Sequence, residues 1–428
     1  MTLRTSTLIL ITFALVLAMA AVSSTPTVAV TRPVPEGPGS RDSTFGRDGL
    51  VRIPTSSGVA SHSLTPSDDS GWWITAFDDH STYVHYVDRQ GRTDETKSFT
   101  IPGTRPIALH SGPAGTLRLL GRFSNQGLGL YRIDTAGSVV RQSIGLSEED
   151  RSFPHIKDAI WTPAGVVVVG HDRSAVRQPA IGVIQDGRLN WQAVRASDSS
   201  AELSAVTATS DDTFVATGAG SYPGTGIRGY PLLAFNSALE LIPGTTPGVL
   251  IDPRENCQFQ MADIATTGVF NTVVGSTWGC DFAPDAHAVV VAQQYPSLLS
   301  HDSFGATAKR PGEGAIRVLP EPGLNWRGRA ISVDSQGRLV IVGTAVSTAA
   351  GMAWEGSPAL VTPRPFSARL LADGTLDASF ALNALALVNS PWSWMISDVQ
   401  VDDSDRPVLL GTAMSKEETE LRIVRLLS

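Results

Sequence analysis

The sequence predicts an all-β fold: a seven-bladed β-propeller, four antiparallel strands per blade, with the ring closed by an N-terminal strand in the last blade. Three observations predict it. A hairpin pattern recurs seven times along the chain. Helical periodicity is nearly absent beyond the first thirty residues. Gly (40) and Pro (27) are plentiful without a collagen period, as many short strands joined by tight turns require. In 428 residues, 42 % are apolar and 17 % charged, which supports a large core and excludes a disordered chain.

Residues 1–22 read as a secretory signal peptide. Arg4 precedes an uncharged apolar run, Leu8 to Val22, and Ala18-Met19-Ala20 fits a small-x-small cleavage site. That run is shorter than the roughly 20 residues a spanning helix needs. The chain is therefore expected to be secreted, with no membrane span after cleavage. Residues 23–41 form a Pro/Ser/Gly-rich spacer, and the propeller domain is expected over 42–428.

The hairpins then follow in order. The copies begin at Ser61, Arg105, His155, Leu203, Phe259, Gly328 and Met395. Each reads as an alternating apolar run, a turn of Asp, Gly, Pro or Ser, and a β-branched run. Six of them close on a glycine (Gly121, Gly170, Gly218, Gly275, Gly343, Gly411), which marks a close backbone approach or a bend. A third strand and a weaker fourth complete most copies, giving a period of about 50 residues, as in propeller blades. The last copy ends on its third strand, LRIVRLLS. Residues 42–54 have the form of a unit's end and are expected to supply the missing strand, which removes an exposed edge.

These residues also carry a family resemblance. Asp42-Ser43-Thr44-Phe45-Gly46 with Asp48-Gly49-Leu50-Val51, Asp334 to Gly343, and Ala368 to Phe380 resemble the bacterial delta-60 repeat. The likeness is clear at the two ends and eroded in copies two to four. It implies a secreted propeller and carries no general catalytic assignment.

The Asp-x-Ser/Thr-Phe elements at Asp42, Asp302 and Asp377 read as turns, with Phe45, Phe304 and Phe380 packed between blades. No metal spacing or calcium loop of EF type occurs. No cofactor is expected, a structural calcium being the one alternative left open. Cys257 and Cys280 lie symmetrically about the turn at Thr267-Gly268 and are expected to form a disulfide at the open end of that hairpin. No nucleophile elbow, phosphate loop or dinucleotide fingerprint is present. Asp78-Asp79-His80 and His171-Asp172-Arg173 are dense polar clusters at equivalent loop positions, either solvated loop charge or part of a site.

Function is expected on one face. The long, variable connections emerge together at one end of an up-and-down blade, where a rigid ring presents them. They carry the candidate binding residues Tyr222, Arg228, Tyr230, Trp278, Trp326, Arg327, Trp354, Glu355 and Arg364. The expected role is a non-enzymatic, monomeric interaction module for an extracellular protein or glycan. The alternative is a hydrolase or lyase with a polar site at the central channel. A net charge of −8 without a basic stripe disfavours nucleic acid.

Overall fold

Strands form here because β-branched and aromatic residues alternate between two faces, or run unbroken where both faces are covered. Ser81–Val87 alternates, burying Thr82, Val84 and Tyr86. Trp72–Phe77 is buried over five of its six residues because it lies inside its sheet. The computed structural model describes residues 37–428 apart from 124–126, 135–136, 147–153, 175–176, 195–200, 210–212, 221–231, 243–257, 268–269, 279–287, 295–303, 305–314, 319–323, 348–362, 381–384, 388–392 and 416–417. The expected signal peptide, most of the spacer, and both cysteines lie outside the described residues.

Among the described residues the chain is all-β and propeller-like, with 27 strands. After β1 (Leu50–Thr55), four-stranded meanders follow one another. The first is β2 (Ala60–Pro66), β3 (Trp72–Phe77), β4 (Ser81–Val87) and β5 (Phe99–Pro102). Next come β6 (Thr104–Ser111), β7 (Leu117–Phe123), β8 (Leu128–Ile133) and β9 (Val139–Leu146), then β10 (His155–Thr162), β11 (Gly165–His171), β12 (Pro179–Gln185) and β13 (Arg188–Ala193). The fourth copy has three strands, β14 (Ala201–Ala208), β15 (Phe214–Gly220) and β16 (Leu232–Phe235). A single bridge, Phe235 to Leu241, stands where its expected fourth strand would be.

The chain continues with β17 (Gln258–Thr266), β18 (Asn271–Trp278), β19 (Ala288–Gln294) and β20 (Ala315–Val318). Then come β21 (Leu324–Val333), β22 (Leu339–Ser347), β23 (Arg364–Leu370) and β24 (Leu385–Leu387). The last strands are β25 (Ser393–Val401), β26 (Pro407–Met414) and β27 (Thr419–Arg425). Continuous pairing joins the second and third meanders through only two parallel residue pairs, and the fourth and fifth through one pair. β1 pairs antiparallel with β27, from Leu50 opposite Val424 to Thr55 opposite Thr419, as residues 42–54 were expected to do.

First strands of successive meanders lie side by side. Thr65 Oγ1 donates to the Leu109 carbonyl, Ser204 Oγ donates to the Met261 carbonyl, and the Leu64 amide at the start donates to Asp398 near the end. Each first strand carries the same one-residue bulge, for example between Ile156 and Asp158 and between Ile396 and Asp398. The bulge explains the closing glycines. A Cβ on Gly170 would collide with the His155 carbonyl opposite, and one on Gly343 with that of Arg327. The core sits between neighbouring meanders. Phe45, Phe304 and Phe380 are buried there as expected, at 0 %, 2 % and 0 % exposure. No helix among the described residues is long and apolar enough to cross a membrane.

Candidate functional site

The starts of the first strands and the ends of the second strands meet at the long-connection end, and the polar side chains gather there. His155 opens β10 and His171 ends β11, directly opposite in register. Their rings stack at 4.8 Å with 12° between planes. Arg122, near the end of β7, donates from Nη1 to His155 Nε2 at 3.0 Å and from Nη2 to the Ile156 carbonyl at 2.7 Å. A guanidinium can only donate, so His155 Nε2 is an acceptor and the ring is neutral. Burial, and then the charges of Arg122 and Lys157, push the His155 imidazole down to about 4. Its Nδ1 is buried without a partner among the described residues.

His171 is oriented differently. Its Nδ1 lies 2.6 Å from the Asp172 carbonyl and donates to it. That leaves Nε2 as the nitrogen with the lone pair, 3.7 Å from Glu202 of β14. Lys157 and Arg177 also approach Glu202, at 3.8 and 3.9 Å. Arg105 of β6 lies 4.4 Å over the ring of Phe77 in β3, and His62 of β2 meets that ring edge-on. Burial lowers Arg122, and Arg173 and Arg105 lower it further, so cations here outnumber their carboxylates. The cluster can hold an anionic group beside a neutral imidazole.

Deeper along the same strands stands a second constellation. The residue after the bulge is aspartate in β10, β17 and β25, where it is Asp158, Asp263 and Asp398. Each carboxylate accepts the next amide of its own strand and the equivalent amide of the following meander. Asp158 holds Ala159 and Val206, Asp263 holds Ile264 and Ile331, and Asp398 holds Val399 and Leu64, at 2.7–2.9 Å. Burial pushes them up to about 7, 6 and 8, and Asp263's charge adds to the rise at the other two. Each keeps part of its surface open although surrounded by protein. Asp263's charge reaches both of the others and Asp158's reaches Asp398, so the first strands bring the three toward one another.

Four of the nine residues expected to bind are among those the structure describes. Tyr222, Arg228, Tyr230, Trp354 and Glu355 lie outside the described residues. Trp278 is the last residue of β18 rather than a loop residue, opposite Gln258. Trp326 is corrected outright: it stands in β21, 1 % exposed, edge-on to Phe366 at 4.9 Å. Its indole fills the core, because alternation along β21 turns it inward. Arg327 is half-buried in β21, and Arg364 is exposed at the start of β23. Of the two polar clusters, His171-Asp172-Arg173 belongs to the site. Asp78 instead closes its own turn, accepting from the amides of His80 and Ser81 and from the Tyr83 hydroxyl.

Sequence reasoning passed over Arg122, Lys157, Glu202 and the three aspartates that follow the bulges. A signal existed for some. Arg122 and His171 each follow a closing glycine, and IKDAI, MADIA and ISDVQ put a charge inside apolar strands. Among the described residues no group of three or more His, Cys, Asp or Glu is placed to hold a metal ion.

No protein-family model matches the chain, and no curated protein matches it. Solved structures do. A polysaccharide lyase of family PL25, an ulvan lyase, is 8 % identical over 91 % of this chain and 95 % of its own, with a TM-score of 0.51. The same kind of enzyme bound to -[GlcA(1-4)Rha3S]- is 9 % identical over 91 % and 94 %, with a TM-score of 0.50. At these identities the likeness is one of fold: the chain is an all-β protein of propeller-like arrangement.

Proposed function

We propose that this chain is a seven-bladed propeller whose long-connection end takes an acidic polysaccharide and cleaves it by β-elimination. The observation that carries the reading is the stacked His155–His171 pair ringed by Arg122, Lys157, Arg177 and Glu202. The seven-blade count is supported by the repeated bulge of the first strands and by the Leu64–Asp398 bond between first and last. Export and kinship with delta-60 repeat proteins belong to the same reading, as does a Cys257–Cys280 bridge.

The chemistry follows from the cluster. A uronate's carboxylate, set against Arg122 and Lys157, is neutralised, which acidifies the adjacent ring C–H. His171 Nε2, left with its lone pair because Nδ1 carries the proton donated to Asp172, takes the proton of that C–H. The electron pair forms the C4–C5 double bond, the C4–O bond breaks, the leaving oxygen takes up a proton from water, and the imidazolium of His171 returns its own to solvent. Neutral His155 stacks behind His171 and fixes its plane, while Arg122 holds His155.

The test is to incubate the protein with glucuronate-, mannuronate- and galacturonate-containing polymers and follow the ultraviolet absorbance of the unsaturated product. His171→Ala is expected to lose activity by about 10²-fold or more with its melting temperature held, and Arg122→Ala to raise KM. Wild-type protein that yields no unsaturated product from any uronate polymer sinks the lyase reading. Binding without cleavage, lost in Arg122→Ala, would instead establish the non-enzymatic glycan-binding module at the same site.

A further inference from the structure

A second charged feature lies where the two ends of the chain meet, at the other end of the strands from the imidazole pair. A groove of about 840 Å³ is lined by Arg41, Arg47, Asp48, Arg52 and Arg92 together with the backbone of Gly46 and Gly91. That volume is in the range of small-ligand sites. Two tight turns make its walls. One is left-handed at Gly46 (φ 57), Asp48 (φ 55) and Gly49 (φ 77). The other, at residues 88–92, is tied to it by the Gly46 amide donating to the Gln90 carbonyl at 2.7 Å. A Cβ on Gly91 would meet the Gly46 backbone, so the walls are in direct contact.

The charges in this groove are poorly compensated. Arg92 pairs with Asp88 at 2.7 Å, but Arg41, Arg47 and Arg52 have no ion pair among the described residues. Arg52 of β1 stands directly opposite Arg422 of β27. Like charges opposed across an antiparallel pair are destabilising. Glu420 is engaged with Arg422. Burial lowers the Arg41 guanidinium, and the charges of Arg422 and Arg52 lower it further, with Asp48 alone acting the other way. The chain as a whole is acidic, at −8, so this concentration of arginine runs against its composition.

We propose that this groove is a second binding site, for a linear polyanionic glycan carrying sulfate or carboxylate groups on successive sugars. Arg41 and Arg52 share one anionic group and so relieve the opposition of Arg52 and Arg422. Arg47 and Arg92, one on each wall, take the next. Guanidinium forks suit both sulfate and carboxylate. The site does not depend on cleavage at the imidazole pair: it anchors a chain at the outer strand while the other end of the ring remains free.

Calorimetric titration tests this, with a heparin-derived sulfated oligosaccharide and an oligogalacturonate as the two arms and a malto-oligosaccharide as the neutral control. Wild-type protein is expected to bind at least one of the charged probes, more weakly as salt rises, and not the control. The arms decide between sulfate and carboxylate. Arg47→Gln/Arg52→Gln is expected to weaken this class of site by about tenfold or more. Arg122→Ala is expected to leave it unchanged, so that loss of the catalytic reading and loss of this one are told apart. Arg52→Gln alone is expected to keep or raise the ligand-free melting temperature, because it removes a like-charge opposition. Wild-type affinity in the double variant, no binding of either charged probe, or a lowered ligand-free melting temperature in Arg52→Gln each overturns the proposal.

Discussion

The Asp-x-Ser/Thr-Phe element is a larger device than its four residues. Asp42 accepts from the amide and hydroxyl of Thr44, as a turn requires. The same carboxylate also receives Arg425 at 2.8 Å and Arg406 at 2.9 Å. Arg425 then lies 4.5 Å over the Phe45 ring. Near the other end of the domain Asp377, Ser379, Arg369 and Phe380 repeat the pattern, with Arg369 at 2.7 Å from Asp377 and 4.7 Å over Phe380. Burial works to raise Asp42, yet hydrogen bonds from Thr44 and the charge of Arg425 leave it below its ordinary value. Removing the carboxylate takes the main partner from buried Arg425, while Arg406 keeps Asp402 at 2.8 Å, so Asp42→Ala is expected to cost about 3 kcal/mol in denaturant unfolding. Phe45→Ala, which empties a site between meanders, is expected to cost a similar ~3–5 kcal/mol. A loss under about 1 kcal/mol in either variant would show the element to be a mere turn. The turn was legible because Asp and Ser are local actors. The arginines were not, since Arg425 is 383 positions away from Asp42 in sequence.

At the scale of the element, β1 is the informative strand. It forms six register pairs with β27 and contributes Leu50, Val51 and Ile53 to the buried core. Without it β27 would present an unpaired edge of buried residues to solvent. Deleting residues 42–55 is therefore expected to lower the melting temperature sharply and to promote association, read by calorimetry and light scattering. A deletion variant that stays monomeric with an unchanged melting temperature would show that the C-terminal strand needs no partner. This pairing was readable in advance, because a repeat that lacks its last strand announces what the other terminus must supply. The bulges were not. They need the partner strand's register, although the closing glycines hinted at them. Trp326 was misplaced for the same reason: only its position along β21 says which way the indole points.

For the whole molecule, the three aspartates that follow the bulges set a pH dependence. Their carboxylates sit near 7, 6 and 8 in the fold and at an ordinary 3.8 when unfolded. Folding therefore takes up protons, and the stability these groups contribute is lost as pH rises through their folded values. His62 and His155 act oppositely: both are pushed down from 6.5 to about 4 by burial, so their contribution is lost as pH falls through that window. Between about 4 and 6.5 the two histidines offset part of the effect of the three aspartates. Above 6.5 only the aspartates remain, chiefly Asp158 and Asp398. Unfolding free energy is thus expected to fall between pH 6.5 and 8, and this slope is expected to flatten in the Asp158→Asn/Asp398→Asn variant. A wild-type stability that is level or rising over that interval would refute the assignment.

By itself the sequence determined the class: strands, their hairpins, the repeat and the strand that joins the two termini. Those depend on alternation, turn chemistry and period, which are properties of neighbours in the chain. Only the tertiary structure decided which polar side chains gather. His155, His171, Arg122 and Glu202 come from three different meanders, and Asp158, Asp263 and Asp398 from three more widely spaced strands. Their meeting is set by how repeats pack around a common centre, and no linear spacing encodes that distance.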